Sequence, residues 1–146
     1  MNIVYYIVFF FWYLLSLLPL PVLYVFSDLL YFPLYYCVRY RRRIVRKNLT
    51  ESFPELSKEK VIRIEKQYYH FFCDYIIETI KLFSISKKQL KKRMTFGGVE
   101  EIVRKMKAEE KNFCFVYLGH YCNWEWIASL PYWAPDDILC GQIYHP

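Results

Sequence analysis

The stretch that decides the predicted fold is residues 113–126, FCFVYLGHYCNWEW. Its first six residues are apolar and lie between polar flanks, which is typical of a strand buried on both faces. Gly119 ends this run, and a helix is predicted to begin near Asn123 or Trp124 and to continue to about Leu130. A buried strand followed by a loop and a helix is the repeating unit of α/β proteins.

The neighbouring segments predict more of the same alternation. Residues 94–96 predict a short strand, residues 99–108 a helix, and residues 137–144 another strand. Strands separated by helices at this spacing imply right-handed crossovers and a parallel sheet. We therefore expect an α/β fold in which residues 58–146 hold the N-terminal, truncated part of an α/β domain, with a mainly parallel sheet and crossover helices.

A long amphipathic helix is predicted to lead into this domain, from residue 58 to about residue 83. Ser57 is a suitable N-cap for it. Apolar positions recur every three or four residues along one face: Val61, Ile64, Tyr68, Phe72, Tyr75, Ile76, Thr79 and Phe83. His70 is expected at the surface, and Glu78, one position from the apolar face, is a candidate buried acid with a partner.

Residues 1–38 are interpreted as a membrane-embedded segment. They contain a single charged side chain, Asp28. Pro19 and Pro21 predict a break between a helix over about residues 3–18 and a second apolar helix over residues 22–38. Together the two helices suit either one kinked span or a re-entrant hairpin.

A basic cluster follows the apolar segment, within residues 39–57, a predicted linker and turn where the chain leaves the membrane. The cluster comprises Arg39, Arg41, Arg42, Arg43, Arg46 and Lys47. Positive charge concentrated on this side predicts that everything after residue 38 is cytoplasmic. Basic residues beside an apolar segment favour anionic lipid head groups as the partner, not nucleic acid. A second basic run, residues 87–93, is either a solvated helix face or a further contact with head groups.

Composition excludes several protein classes. The chain has 146 residues, of which 55% are hydrophobic and 21% aromatic, so it is not a disordered or low-complexity protein. Five cysteines without paired spacing argue against a secreted disulfide scaffold and favour a reducing compartment. The chain also has no Gly-x-Ser-x-Gly elbow, phosphate-binding loop or dinucleotide fingerprint.

Two residues of the opening stretch carry the candidate chemistry. Ligands of open α/β sheets bind beyond the carboxyl ends of the strands, where His120 is predicted to lie. His120 can accept a proton near neutral pH, and Glu125, five positions later, can reach one imidazole nitrogen if the loop folds back. Such a pair, with no nucleophile beside it, suits activation of a substrate hydroxyl group.

At these positions the sequence resembles a known family. Gly119-His120 followed by Asn123-Trp124-Glu125 is similar to the His–four residues–acid motif of glycerolipid acyltransferases, and the Asn-Trp-Glu form resembles the lipid A biosynthesis acyltransferases. The resemblance implies transfer of an acyl group from acyl carrier protein to a hydroxyl of a lipid A precursor, at the cytoplasmic face of the bacterial inner membrane. It implies His120 as general base and Glu125 as the acid that orients it, with no cofactor.

Family implication also assigns other positions. Gly119, Asn123 and Trp124 would shape the motif, and Cys122 stands where a small residue such as Gly is more usual. Tyr144 and His145 resemble the start of a second family block and are candidate substrate-binding residues, with His145 in place of an Arg. Because later family motifs are not in the chain, we expect an N-terminal fragment that is inactive by itself.

Other functions remain open on the sequence alone. The acceptor of the same reaction is alternatively a lysophospholipid or an aminolipid. His120, Cys122, Cys140 and His145 offer four ligands for a tetrahedral zinc ion, although their spacing matches no known zinc motif and we predict no metal site. A membrane-anchored interaction protein without catalysis is the third alternative.

Overall fold

Six α-helices make up most of the structure. The computed structural model describes residues 3–143. The helices are α1 (Ile3–Leu17), α2 (Leu20–Phe32), α3 (Arg42–Ser52), α4 (Lys58–Lys81), α5 (Lys87–Arg93) and α6 (Val99–Ala108). α2 continues as a π-helical segment over Pro33–Val38, and a 3₁₀ helix covers Trp124–Tyr132. The chain divides into two compact units, Met1–Ser84 and Ile85–Pro146.

The first unit is built on α4, against which α1, α2 and α3 pack. Leu20 and Leu23 of α2 and Ile77 of α4 form its buried apolar cluster. α2 begins two residues before the predicted position, with Pro21 in its first turn. A proline there removes an N–H that has no intrahelical partner in any case, so it begins the helix and does not break it.

A line of polar pairs joins α2 to α4 along their length. Tyr24 Oη donates to Glu78 Oε1 at 2.7 Å, and Ser27 Oγ donates to Asp74 Oδ1 at 2.6 Å. Beyond the end of α2, Tyr35 Oη donates to the fully buried Glu65 at 2.9 Å. Residue numbers rise on one helix as they fall on the other, so the helices are antiparallel. We call these three pairs the hydroxyl–carboxylate seam.

The buried face of α4 differs from the predicted one. The residues that α4 buries follow a strict four-residue repeat: Val61, Glu65, Tyr69, Cys73, Ile77 and Lys81. The apolar stripe expected through Tyr68 and Phe72 lies one position away, and Tyr68 is exposed. The prediction was wrong because Glu65 and Lys81 have polar partners inside, which periodicity of apolar residues cannot reveal. Glu78, the candidate buried acid with a partner, has a partner in Tyr24 but is only half-buried.

The predicted parallel sheet does not form within residues 3–143. Residues 94–96, 113–118 and 137–143 have no strand or bridge partner, and residue 144 lies outside the described part. Phe113 is 72% exposed and Tyr117 91% exposed, so the apolar run expected at the centre of a sheet is not covered. A strand is defined by its backbone hydrogen bonds to a neighbour. An apolar run predicts burial without supplying that neighbour, and the α/β expectation is therefore corrected to a helical fold.

The helices of the second unit agree with the sequence. α6 occupies the predicted residues 99–108. α5 is the second basic run, and its start is set by a capping box in which Ser86 Oγ accepts from the Gln89 N–H at 3.2 Å. Leu90 is the residue that α5 buries, so the lysines around it are left at the surface.

Candidate functional site

The motif that resembles the acyltransferases spans a loop and the start of a helix. Gly119 to Asn123 form the loop, and Trp124 and Glu125 open the 3₁₀ helix Trp124–Tyr132. The Trp126 N–H donates to the Asn123 carbonyl at 3.3 Å, which closes the first turn. A helix was expected from near Asn123 or Trp124 to about Leu130. The helix is 3₁₀ and continues through Pro131 to Tyr132.

His120 is exposed and lies against an aromatic partner. Its ring centroid is 4.5 Å from that of Trp124, with the rings edge to face at 72°. Glu125 is half-buried in the first helical turn. The contact that the structure gives for His120 is therefore the Trp124 ring, and the pairing of His120 with Glu125 stays a prediction. That Trp124 shapes the motif also stays a prediction, and its edge-to-face contact with the imidazole is the observation that bears on it.

The unusual backbone position of the loop is Cys122. Its φ is +51°, in the left-handed region. This conformation is unfavourable for any residue that has a Cβ atom, whereas glycine adopts it readily. Gly119, the glycine expected to make the sharp exit, has no positive φ. The left-handed turn therefore falls at the position where the resemblance leads one to expect a small residue, and the departure at Cys122 carries a conformational cost.

Trp126 is a member of this segment that sequence reasoning missed. Its side chain is 6% exposed, and its indole N–H has no hydrogen-bond acceptor within the described residues. The Ser129 hydroxyl donates to the Trp126 carbonyl at 2.6 Å and stiffens the same turn. The sequence Trp124-Glu125-Trp126 offered a signal for this burial. In a helical turn, residues two positions apart lie on different faces, so one of the two tryptophans can face inwards.

A cavity of the second unit lies away from the His120 loop. A depression of about 490 Å³ is lined by Phe96, Gly98, Val99, Glu100, Glu101, Arg104 and Trp133. Neither His120 nor Glu125 is among those residues. In this structure the candidate catalytic loop is thus an open surface feature.

The basic cluster is divided between internal and outward-facing residues. Arg46 binds Glu65 through two nitrogens, Nε at 2.7 Å and Nη2 at 2.9 Å, and Arg42 Nε lies 3.2 Å from the same carboxylate. Arg42 also lies over the Tyr35 ring at 4.2 Å. Lys47 is 3.7 Å from Glu51. The remaining members, Arg39, Arg41 and Arg43, are exposed. Most of the predicted linker is helical, because α3 carries Arg42 and Arg46 towards Glu65.

Glu65 is therefore the electrostatic centre of the first unit. Burial by itself raises the pKa of a carboxyl group, but hydrogen bonds from Arg46 and Tyr35 outweigh it and hold the pKa of Glu65 below its ordinary value. The carboxylate stays charged, and it fixes the ends of α3 and of the π-helical segment against α4. Its role in the structure is to hold these helices together.

The metal alternative finds no support in the described part of the chain. Across residues 3–143, no group of three or more His, Cys, Asp or Glu side chains is placed to hold a metal ion. His145, one of the four ligands considered, lies outside the described residues, as does the candidate substrate-binding residue Tyr144.

Comparison with known proteins identifies the family. The family model described as bacterial lipid A biosynthesis acyltransferase matches residues 1–130, which include the apolar N-terminus, the basic cluster and the segment Gly119–Glu125. Comparisons with curated proteins and with solved structures find no match. Because the matched residues make up most of the 146-residue chain, it belongs to the bacterial lipid A biosynthesis acyltransferase family.

Proposed function

We propose that this protein transfers a fatty acyl group from the thioester of acyl carrier protein to a hydroxyl of a lipid A precursor. The observation that carries the proposal is the family match across residues 1–130, since it includes the His120 and Glu125 positions. A lysophospholipid or an aminolipid is the alternative acceptor. The proposed location is the bacterial inner membrane, with the catalytic loop facing the cytoplasm.

The proposed reaction uses His120 as a general base. An imidazole nitrogen takes the proton of the acceptor hydroxyl as its oxygen attacks the thioester carbonyl carbon. The tetrahedral intermediate then collapses, the carbon–sulfur bond breaks, and the imidazolium returns the proton to the departing thiolate. The products are an ester on the acceptor and the free thiol of the carrier, so no further reactant is needed.

Two neighbours would support His120 in this role. Glu125 would hold the second imidazole nitrogen, selecting the tautomer and stabilising the imidazolium. Trp124 is a positioning residue, because its ring lies 4.5 Å from the imidazole and limits its rotation. The exposure of His120 suits a base that must meet two large substrates, an acyl carrier protein and a lipid.

Because the 146-residue chain by itself is expected to be inactive, the test is acyl transfer from acyl carrier protein to a purified lipid A precursor in detergent, with the full-length protein that contains these residues. His120→Ala should lower kcat by at least about 10²-fold, and Glu125→Gln should lower it within the ~10²–10⁴ range of acid–base contributions. His70→Ala, which removes the histidine of α4, is the matched control and should retain activity. Undiminished transfer by His120→Ala would overturn the mechanism. If the protein acylated a lysophospholipid but not the lipid A precursor, the lysophospholipid would be the acceptor.

A further inference from the structure

α2 has two faces of different chemistry, and this bears on how the protein sits at a membrane. With its π-helical continuation it covers Leu20–Val38, 19 residues, long and apolar enough to cross a bilayer by length and composition. Yet one face carries the side chains of the hydroxyl–carboxylate seam. Tyr31, on the same face, stacks on His70 of α4 with ring centroids 3.7 Å apart.

The opposite face of α2 is an exposed apolar stripe. Its members recur at helical spacing: Val22, Val25, Phe26, Leu29, Phe32 and Tyr36. Leu29 is 66% exposed and Phe32 61% exposed. We call this set the outer stripe. Arg39, Arg41 and Arg43, which have no carboxylate partner within residues 3–143, follow its carboxyl end.

Crossing the bilayer would place charged groups in hydrocarbon. Asp28 lies one residue from the midpoint of Leu20–Val38, and its side chain is 77% exposed. The seam also binds α2 to Asp74 and Glu78, so a spanning α2 would carry two further carboxylates with it. Each charge at the centre of a bilayer is strongly unfavourable. α1, in contrast, is uncharged, and its apolar side chains over residues 3–14 are largely exposed although the helix also packs against α4.

We propose that α2 lies along the bilayer surface and does not cross it, with its outer stripe at the acyl-chain boundary and Arg39, Arg41 and Arg43 at anionic phosphates, while α1 alone enters the hydrocarbon. An amphipathic helix with an apolar stripe and basic residues beside it is suited to that position. The all-apolar surface of α1, which leads into α2, indicates lipid and not a protein groove. This placement rests on the proposed membrane location but not on the catalytic role of His120.

The test uses single-cysteine variants of the full chain with the five native cysteines replaced, added to preformed vesicles of phosphatidylethanolamine and phosphatidylglycerol. Asp28 and Leu29 are adjacent, and their side chains lie about 100° apart around the helix axis, so the two variants report different faces of α2. We expect a membrane-impermeant maleimide to label Asp28→Cys and not Leu29→Cys. A bimane at position 29 should be quenched by shallow nitroxide lipids more than by deep ones. Leu14→Cys tests the placement of α1: it should be protected from the maleimide, and its labelling would contradict entry of α1 into the hydrocarbon. Lys66→Cys, at an exposed position of α4, is the aqueous control.

Each alternative outcome contradicts the proposal in its own way. Protection of both Asp28→Cys and Leu29→Cys, with deep quenching, would show that α2 spans the bilayer. Labelling of both would show that α2 stays in water. If the protein did not bind vesicles at all, the proposed membrane location would be wrong. That result would not bear on the proposed acyl transfer, which is tested separately in detergent.

A second arm tests the arginines. Arg41→Ser combined with Arg43→Ser should weaken binding to anionic vesicles about 30-fold at low salt, at ~1 kcal/mol for each charge. Binding to neutral phosphatidylcholine vesicles should not change, and this comparison separates a charge effect from misfolding. Equal loss on both vesicle types would contradict a phosphate contact.

Discussion

Single residues decide the conformation of the candidate catalytic loop. Cys122 holds the left-handed backbone position between His120 and Glu125, with φ at +51°. A side chain with a branched β-carbon tolerates this region least, whereas glycine adopts it freely. The identity of residue 122 therefore affects how readily the loop reaches its conformation.

We expect Cys122→Gly to be up to about 1 kcal/mol more stable than the wild type, because glycine relieves the strain that a Cβ causes at positive φ, and Cys122→Val to be less stable than the wild type, because a branched β-carbon adds to that strain. Chemical denaturation followed by circular dichroism measures both. Cys114→Gly and Cys114→Val are the matched controls, because Cys114 is an exposed cysteine of the same unit that has no positive φ. At position 114 the glycine variant should be no more stable than the valine variant. The same order at both positions would contradict the backbone explanation.

Glu65 shows what one buried charge does for the first unit. Its pKa is lowered in the folded protein, so the unfolded chain binds the proton more readily. The stabilisation is therefore complete above the unfolded pKa of about 4.3 and is lost as the pH falls through the lower folded value.

Glu65→Gln should cost roughly 1–3 kcal/mol at neutral pH, less than for a fully buried pair, because Arg42 and Arg46 are partly exposed. That deficit should begin to shrink as the pH falls below the unfolded pKa of about 4.3, and it should disappear once the pH has passed the lower folded pKa, where wild-type Glu65 is also neutral. Urea unfolding of the wild type and of Glu65→Gln, measured from neutral pH down into this acidic range, gives the difference in their free energies of unfolding. A deficit that is constant with pH would mean that shape, and not charge, is what Glu65 provides.

At the scale of elements, α4 organises the first unit through polar contacts at both ends. Glu65 holds Arg42 and Arg46 at one end. At the other, Lys81 Nζ donates to the carbonyls of Ser16 at 2.7 Å and Leu18 at 3.0 Å. Those carbonyls end α1, where a helix leaves acceptors without intrahelical partners and favours positive charge. Lys81 therefore fixes the joint between α1 and α2, and its burial lowers its pKa.

Lys81→Met keeps most of the aliphatic stem but removes the donor. It should destabilise the first unit by about 1–3 kcal/mol, because the Leu18 carbonyl loses the Lys81 donor and the Ser16 carbonyl keeps only the Ser84 hydroxyl. Lys66→Met, at an exposed position of the same helix, is the control and should change stability by less than about 0.5 kcal/mol. Urea denaturation in detergent measures both variants. Equal effects would show that the contact with α1 contributes nothing specific.

At the scale of the whole molecule, the fold is helical where the sequence predicted α/β. The long helix, the break near Pro19 and the helix at residues 99–108 were predictable, since local periodicity and capping residues define them. The sheet was not, because the apolar run at residues 113–118 is compatible with burial in any setting. Its pairing depends on distant segments, and within the described residues no strand partner meets it.

The sequence by itself determined the family, through Gly119-His120 and Asn123-Trp124-Glu125. It also determined that residues 1–38 are apolar and that a basic cluster follows them. These are properties of residue type and local order. Only the tertiary structure decided that Glu65 and Lys81 point inwards and that two of the arginines are held by a carboxylate. It also decided that α2 has a polar side. Charged side chains become internal when a distant segment supplies partners, and helical periodicity contains no information about that segment.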